Sequence, residues 1–297
     1  MSEIGSTLAR RALGRELRRM RTANGLTLAE AGRAAETSPQ SISRTEDGMS
    51  TRVTRLQMNA LCDLFGATDA ERRMMIGLVD EVRKAQKNKG GWRRGYADEI
   101  HYDFDHYLGL EDAANRITAW NVTSLLGLLQ TPAYRRALAW AESPSAPPEQ
   151  IEKRIEWATR RQALLLEDKR LDVDVIMSEA VIRNQIGGPV VMADQLQHLL
   201  NMLELPNISL RIVGFDEPSP LGLLSGSFIL LEFPPLPQSK LTEPPVVYVE
   251  EYAGDLFLEQ EADVQRYRNA LRDITRVALS KDQTRQLILD VAEEYPA

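Results

Sequence analysis

One stretch near the start of the chain, Leu26 to Gly48, limits the folds open to it more than any other. It reads as a helix, a tight turn and a second helix. Thr27 and Ser38 each stand just before a short amphipathic run, where a hydroxyl can cap the free N–H groups of a first turn. Glu30 follows Thr27 at the capping-box spacing. Pro39 follows Ser38, and proline is accepted at the first helical position. Gly48 closes the second helix. Two short helices capped in this way form a helix-turn-helix pattern, whose second helix can enter the DNA major groove.

The distribution of charge agrees with that pattern. The net charge is −7 overall. Residues 1–97 carry 18 Lys/Arg against 11 Asp/Glu, a net of +7, and residues 98–297 carry 18 against 32, a net of −14. A basic head on an acidic body implies that only the head approaches a polyanion. The single cysteine, Cys62, excludes an internal disulfide and a thiolate cluster. No signal-like apolar start and no membrane-length apolar run are present, so a soluble cytoplasmic protein is expected.

Three segments are expected. Residues 1–86 form an all-α head of five helices. The first spans 8–24, with Leu13, Leu17 and Met20 on one side. Thr54 caps a fourth helix that turns Leu56, Ala60, Leu61 and Leu64 inward, and a second capping box, Thr68 with Glu71, opens a fifth. Residues 87–103, rich in Lys, Arg and Gly, form a basic linker. Residues 104–297 form an α+β body with a mainly antiparallel sheet. Glu149–Asp168 reads there as one long helix, and Leu171–Met177, Ile208–Phe215, Ser227–Phe233 and Val246–Tyr252 as strands.

The second helix of the head carries the residues suited to base edges. With Ile42 turned inward, Gln40, Ser41, Ser43 and Arg44 project outward, and Gln40 and Arg44 lie four apart on one face. Arg can contact guanine through two hydrogen bonds, and Gln can do so with adenine. Arg33, Arg52 and Arg55 are candidates for phosphate contacts that fix register. Thr27 and Ser38, at the two helix starts, complete the expected DNA-contacting set. In the body, Trp120 and Trp157 could line an apolar pocket. His101, Asp103, Asp105 and His106 hold metal-ligand types, but alternating acids and histidines in a polar segment read more simply as solvated surface. Glu179 and Glu250 are two carboxylates that could in principle do acid–base work. No nucleophile–base pair, phosphate loop or cofactor fingerprint is visible, so neither an enzyme nor a cofactor is expected.

Leu17-Arg18-Arg19-Met20-Arg21, Gly25-Leu26-Thr27 and Ser41-Ile42-Ser43-Arg44-Thr45-Glu46-Asp47-Gly48 resemble the five-helix DNA-binding domain of xenobiotic-response-element (XRE)-type regulators and phage repressors, over about residues 13–66. The resemblance implies that Gln40 and Arg44 touch bases and that Arg21 and Glu46 form a partly buried ion pair. Leu28 departs from the glutamine that often opens the second helix, and Glu36 from the glycine usual at the turn. Gly127-Leu128-Leu129-Gln130-Thr131-Pro132, Glu179-Ala180-Val181-Ile182-Arg183, Gly187-Gly188-Pro189 and Val247-Tyr248-Val249-Glu250 resemble the C-terminal domain of unknown function in actinobacterial antitoxin-like regulators, over about 104–290. Leu126 stands there in place of a usual proline.

Together these readings predict a sequence-specific regulator of transcription, a repressor of its own operator. It is expected to bind double-stranded DNA as a homodimer on a two-fold site. The second resemblance implies control by a small partner protein encoded nearby; a small-molecule ligand is the other expected signal, and no membrane is involved. The alternative is an antitoxin-type interaction protein that neutralises such a partner and binds DNA only for autoregulation.

Overall fold

A computed structural model describes residues 8–49, 51–88, 102–166, 171–218, 221–251 and 254–295; the side chains of 85–88 and 102–105 are left aside. Most of the expected basic linker, with Trp92 and His101, lies outside these residues. The fold divides into two compact units. One joins the chain up to Ala113 with Phe233–Pro244; the other joins Ala114–Glu232 with Pro245–Ala297.

The first unit starts with α1 (Leu8–Ala23), α2 (Leu28–Ala34), α3 (Pro39–Glu46), α4 (Arg55–Leu64) and α5 (Asp69–Asn88), followed by α6 (Tyr102–Glu111). The caps legible in the sequence form. Thr27 Oγ1 accepts from Glu30 N at 3.2 Å while Glu30 Oε2 accepts from Thr27 N at 2.8 Å. Ser38 Oγ accepts from Ser41 N at 3.1 Å, and Thr68 and Glu71 close the reciprocal pair before α5. Each cap satisfies N–H groups that the first turn of a helix leaves without partners. Leu13, Leu17, Met20, Ala31, Ile42, Met58, Leu61, Phe65, Met75 and Leu78 form the buried side of these helices.

Leu56 corrects one expectation: it is 80 % exposed, and Leu64 is also exposed. The buried face of α4 follows Met58, Leu61 and Cys62. Because α4 starts at Arg55, Leu56 falls in the first turn and off that stripe.

Two close approaches set the geometry of α3. A Cβ on Gly14 would lie 2.4 Å from the Thr45 carbonyl oxygen and 2.6 Å from that of Glu46, so only glycine lets α1 pass the end of α3. A Cβ on Gly32 would lie 2.9 Å from the Thr37 oxygen across the turn. Within that turn Glu36 has φ 49°, in the left-handed region. That conformation costs a residue with a Cβ about 1–2 kcal/mol. Glu36→Gly is therefore expected to stabilise the protein by about 0.5–1 kcal/mol after the entropy cost of glycine is deducted. Chemical denaturation of the two proteins in parallel checks this; an unchanged or lower midpoint speaks against strain at Glu36.

The segment 233–244 belongs to this unit although it arises late in the chain. Phe233, Leu236 and Glu243 are buried. Arg15 Nη1 of α1 donates to Glu243 Oε1 at 2.6 Å, and Arg11 Nε lies 3.7 Å from its other oxygen. In the opposite direction, buried Glu81 of α5 accepts from the backbone N–H groups of Gln238 and Ser239 and from the Ser239 hydroxyl.

The second unit is built on a sheet of β1 (Arg116–Asn121), β2 (Asp172–Ser178), β3 (Ile208–Val213), β4 (Phe228–Glu232), β5 (Val246–Glu251) and β6 (Gly254–Leu258), ordered β3-β2-β1-β4-β5-β6. The sheet is mixed, which corrects the expectation of a mainly antiparallel one. β1 with β2 and β2 with β3 pair in parallel; β1 with β4, β4 with β5 and β5 with β6 pair antiparallel. The cause is in the connections. α7 (Pro132–Glu142) and α8 (Pro148–Arg161) separate β1 from β2, and α11 (Pro189–Met202) separates β2 from β3. Helical crossovers of this length return the chain in the same direction, whereas the shorter links after β4 reverse it. Trp120, Ile176, Phe228, Leu230, Val247 and Val249 pack with Val264, Leu271 and Ile274 of α13 (Glu261–Val277) to form a core on one side of the sheet; α10 (Glu179–Arg183), α12 (Leu221–Ser225) and α14 (Lys281–Glu293) also belong to this unit.

The long helix expected over 149–168 is two pieces, α8 and α9 (Ala163–Leu166), separated at Gln162. Gln162 Nε2 donates to the Gln130 carbonyl at 2.6 Å. Gln195, with no exposed surface, accepts from Thr131 N at 2.7 Å and donates to Leu129 O at 2.8 Å. The Gly127–Pro132 motif is thus a turn whose buried backbone groups are satisfied by amide side chains.

Candidate nucleic-acid interface

The outward face of α3 carries Gln40 and Arg44, both exposed, with Ser41 and Ser43 partly covered beside them and Ile42 buried beneath. The arrangement follows from helical period: after Pro39 at its first position, Ile42 is the only apolar side chain on this helix, and it defines the inner side with Thr45 and Glu46. Of the other expected residues, Arg33 and Arg52 are exposed. Arg55 is exposed but engaged: its Nε donates to Asp80 Oδ1 at 2.8 Å, and its Nη2 meets the second oxygen. The Arg55 hydrogen bonds hold the Asp80 carboxyl below the usual carboxylate range. A phosphate at Arg55 would compete with that carboxylate. Thr27 and Ser38 are exposed, with their hydroxyls already accepting cap hydrogen bonds.

Behind this face a network fixes the helix end. Arg21 Nε and Nη2 donate to the two Glu46 oxygens at 2.6 and 2.8 Å, and Arg21 Nη1 donates to Leu26 O at 2.7 Å. Arg18 adds a 3.3 Å hydrogen bond to Glu46 and one of 2.5 Å to Asp47. The Glu46 side chain is 2 % exposed, and its hydrogen bonds raise the Arg21 pKa above the ordinary value. Paired hydrogen bonds between planar ionic groups are strongly directional. A buried pair of this kind contributes orientation more than net stability. Arg18 and Gly14 had no role in the sequence reading, since each acts through α3, some 30 residues along the chain.

The candidates in the body do not converge. Trp120 Nε1 donates to Gly222 O at 2.8 Å. A Cβ on Gly222 would meet the Trp120 ring at 2.5 Å, so glycine allows this cover. Trp120 lines a cavity of about 90 Å³ together with Ser178, Phe215, Leu223, Ile274 and Val277. Trp157 is not part of its wall and lies under the Arg161 guanidinium, 4.8 Å from the ring centre. Glu179 accepts from Arg183 Nε at 2.6 Å and from Phe215 N at 3.0 Å, which is a structural use of its carboxylate. Glu250 stands opposite Asp255 in the β5–β6 register. Desolvation of its carboxylate, then the like charges of Asp255 and Glu142, raise its pKa, although the residue is exposed at the end of β5. His106 is described, but Asp103 and Asp105 lie outside the described side chains. Among the described residues no group of three or more His, Cys, Asp or Glu could hold a metal ion, and no helix is long and apolar enough to cross a membrane.

A braced helix-turn-helix on a basic head defines the class, a helix-turn-helix protein of the DNA-binding regulator type. A family model described as "Helix-turn-helix domain", of the XRE type, matches residues 12–75. A second, described as "Domain of unknown function (DUF5753)", matches residues 104–290, and the chain belongs to that family. No curated protein and no solved structure matches the chain.

Proposed function

We propose that this protein is a sequence-specific repressor that acts on its own operator, with the residues beyond the head controlling when it binds. The observation that carries this reading is the exposed Gln40–Arg44 pair on a helix held from behind by Arg21, Glu46 and Gly14. Arg44 and Gln40 read base edges, with Ser41 and Ser43 beside them; Arg33 and Arg52 hold phosphates, with Thr27 and Ser38 at the helix starts. A single head offers few phosphate contacts, so a homodimer on a two-fold site supplies the affinity. Residues 1–86 bind DNA, and 104–297 dimerise and receive the signal, a small partner protein encoded nearby.

Arg44→Ala is expected to lose about 1–3 kcal/mol at the operator and to relax the preference at one base pair. Arg52→Ala is expected to weaken all sequences equally and to reduce the salt slope by about one. Arg55→Ala should change the slope less, because Arg55 already holds Asp80. Titrations of operator and scrambled duplexes at several salt concentrations separate these effects. Equal operator affinity and selectivity in Arg44→Ala overturns the assignment of the reading helix.

A further inference from the structure

The cavity of about 90 Å³ lies at one end of the body sheet. Trp120, Ser178 and Val213, which line it, stand at or next to the carboxyl ends of β1, β2 and β3, the parallel strands. Ligands of open α/β sheets sit in the crevice outside such ends. Ile274 and Val277 of α13 form a second wall, and Gly222 and Leu223 of α12 a third. Each wall is fixed from behind. Leu279 N, just after α13, donates to Ile212 O of β3 at 2.8 Å. Phe215 N donates to Glu179 at 3.0 Å, and Trp120 Nε1 to Gly222 O at 2.8 Å. The space is therefore a formed cavity, and a cavity left empty costs stability.

Its chemistry selects the occupant. Trp120 and Ile274 make a buried apolar floor. Ser178 adds one polar group: its oxygen accepts from Ala180 N at 3.3 Å, and among the described residues its hydrogen donates to no partner. Phe215, Leu223 and Leu224, near the mouth, are 64 %, 71 % and 79 % exposed. Exposed apolar groups clustered in this way mark binding sites. Asp216 Oδ1 would lie 2.6 Å from a Cβ on Gly214, itself a lining residue, so an acid would meet like charge there. Roughly 150 Å³ of apolar cavity holds benzene, so in proportion this one holds about four carbons.

We propose that the cavity binds a small uncharged molecule, with an alkyl end of about four carbons on the Trp120 floor and an oxygen that accepts from Ser178. This adds a small-molecule site to the body, beyond the reading above, and does not depend on DNA recognition.

The test titrates the full chain with straight-chain alcohols from ethanol to 1-octanol, followed by ligand-observed nuclear magnetic resonance. Affinity is expected to rise about fourfold for each methylene up to 1-butanol, and by less than about twofold for each one after it. Butanoate is expected to bind at least about tenfold more weakly than 1-butanol, because its charge must leave water. Val277→Phe, which fills the cavity, is expected to weaken 1-butanol at least about tenfold. Ser178→Ala is expected to weaken 1-butanol about fivefold, while 1-chlorobutane, which has no oxygen, binds it as it binds the parent. A steady rise through to 1-octanol is partition onto general apolar surface and overturns the proposal. So does no binding at all, butanoate bound as well as 1-butanol, or 1-butanol held equally by the parent and Ser178→Ala. Undiminished binding by a Val277→Phe protein that melts with the parent also overturns it; if that variant does not fold, the alcohol series and Ser178→Ala decide. Binding that falls as protein concentration rises assigns the mouth to a second copy of the chain, again overturning the proposal.

Discussion

Gly14→Ala is expected to abolish operator binding and to destabilise the protein by about 3 kcal/mol, at the upper end of the usual cost of overpacking. The added methyl carbon would lie 2.4 and 2.6 Å from the Thr45 and Glu46 carbonyl oxygens. Both neighbours are backbone, so no side chain can rotate aside, and α1 and α3 must move apart. The displaced end of α3 is also where Glu46 holds Arg21 and Arg18. DNA binding is therefore expected to fall by more than the loss of folded protein explains. Gly77→Ala supplies the comparison, since Gly77 lies inside α5 with nothing within 4 Å of an added Cβ. That variant should gain about 0.5–1 kcal/mol from helix propensity alone. Thermal melts and operator titrations of both variants check the pair. A Gly14→Ala protein as stable as Gly77→Ala would show that α1 and α3 are not packed as described.

Glu243→Ala is expected to cost about 3 kcal/mol, the lower part of the range for removing one partner of a buried ionic group. The Glu243 side chain is 1 % exposed and lies 2.6 Å from Arg15 and 3.7 Å from Arg11, whose own side chain is 8 % exposed. The carboxylate thus offsets positive charge at Arg11, which water scarcely reaches, and at the partly exposed Arg15. Glu243→Gln keeps the shape and a carbonyl acceptor, so its cost is expected to fall between those of the parent and Glu243→Ala. The same geometry predicts that a chain ended after Ala113 melts below the full protein, because it lacks Phe233–Pro244 and leaves Glu81 without its backbone donors from Gln238 and Ser239. Equal melting of the truncated head and the full protein would refute a structural role for this segment.

What could be read from the residues was local. Thr27 with Glu30, Ser38 with Pro39 and Thr68 with Glu71 act over three residues or fewer, and each cap forms where its spacing placed it. The left-handed turn at Glu36 was visible as a departure from glycine. What escaped reading acts over distance. Gly14 looks like an ordinary glycine in a helix until α3 is laid against it. Glu243 lies 228 residues from Arg15, and no spacing in the chain announces their contact. The direction of the strands was misjudged for a different reason. The helices between β1, β2 and β3 were recognised, but the closeness of the later strands was given more weight than what a helical crossover implies. The edge strand β6 went unread because Gly254–Leu258 is too short to show alternation.

The central claim is that α3 reads DNA sequence through Gln40 and Arg44. The most direct measurement is selection from a random pool of double-stranded DNA, run side by side with the full parent chain, Gln40→Ala and Arg44→Ala. The account predicts that the parent enriches a two-fold related site, and that each variant loses the preference at one symmetric pair of positions while keeping the rest. Enrichment of the same complete site by all three proteins, or of no site by the parent, would contradict it.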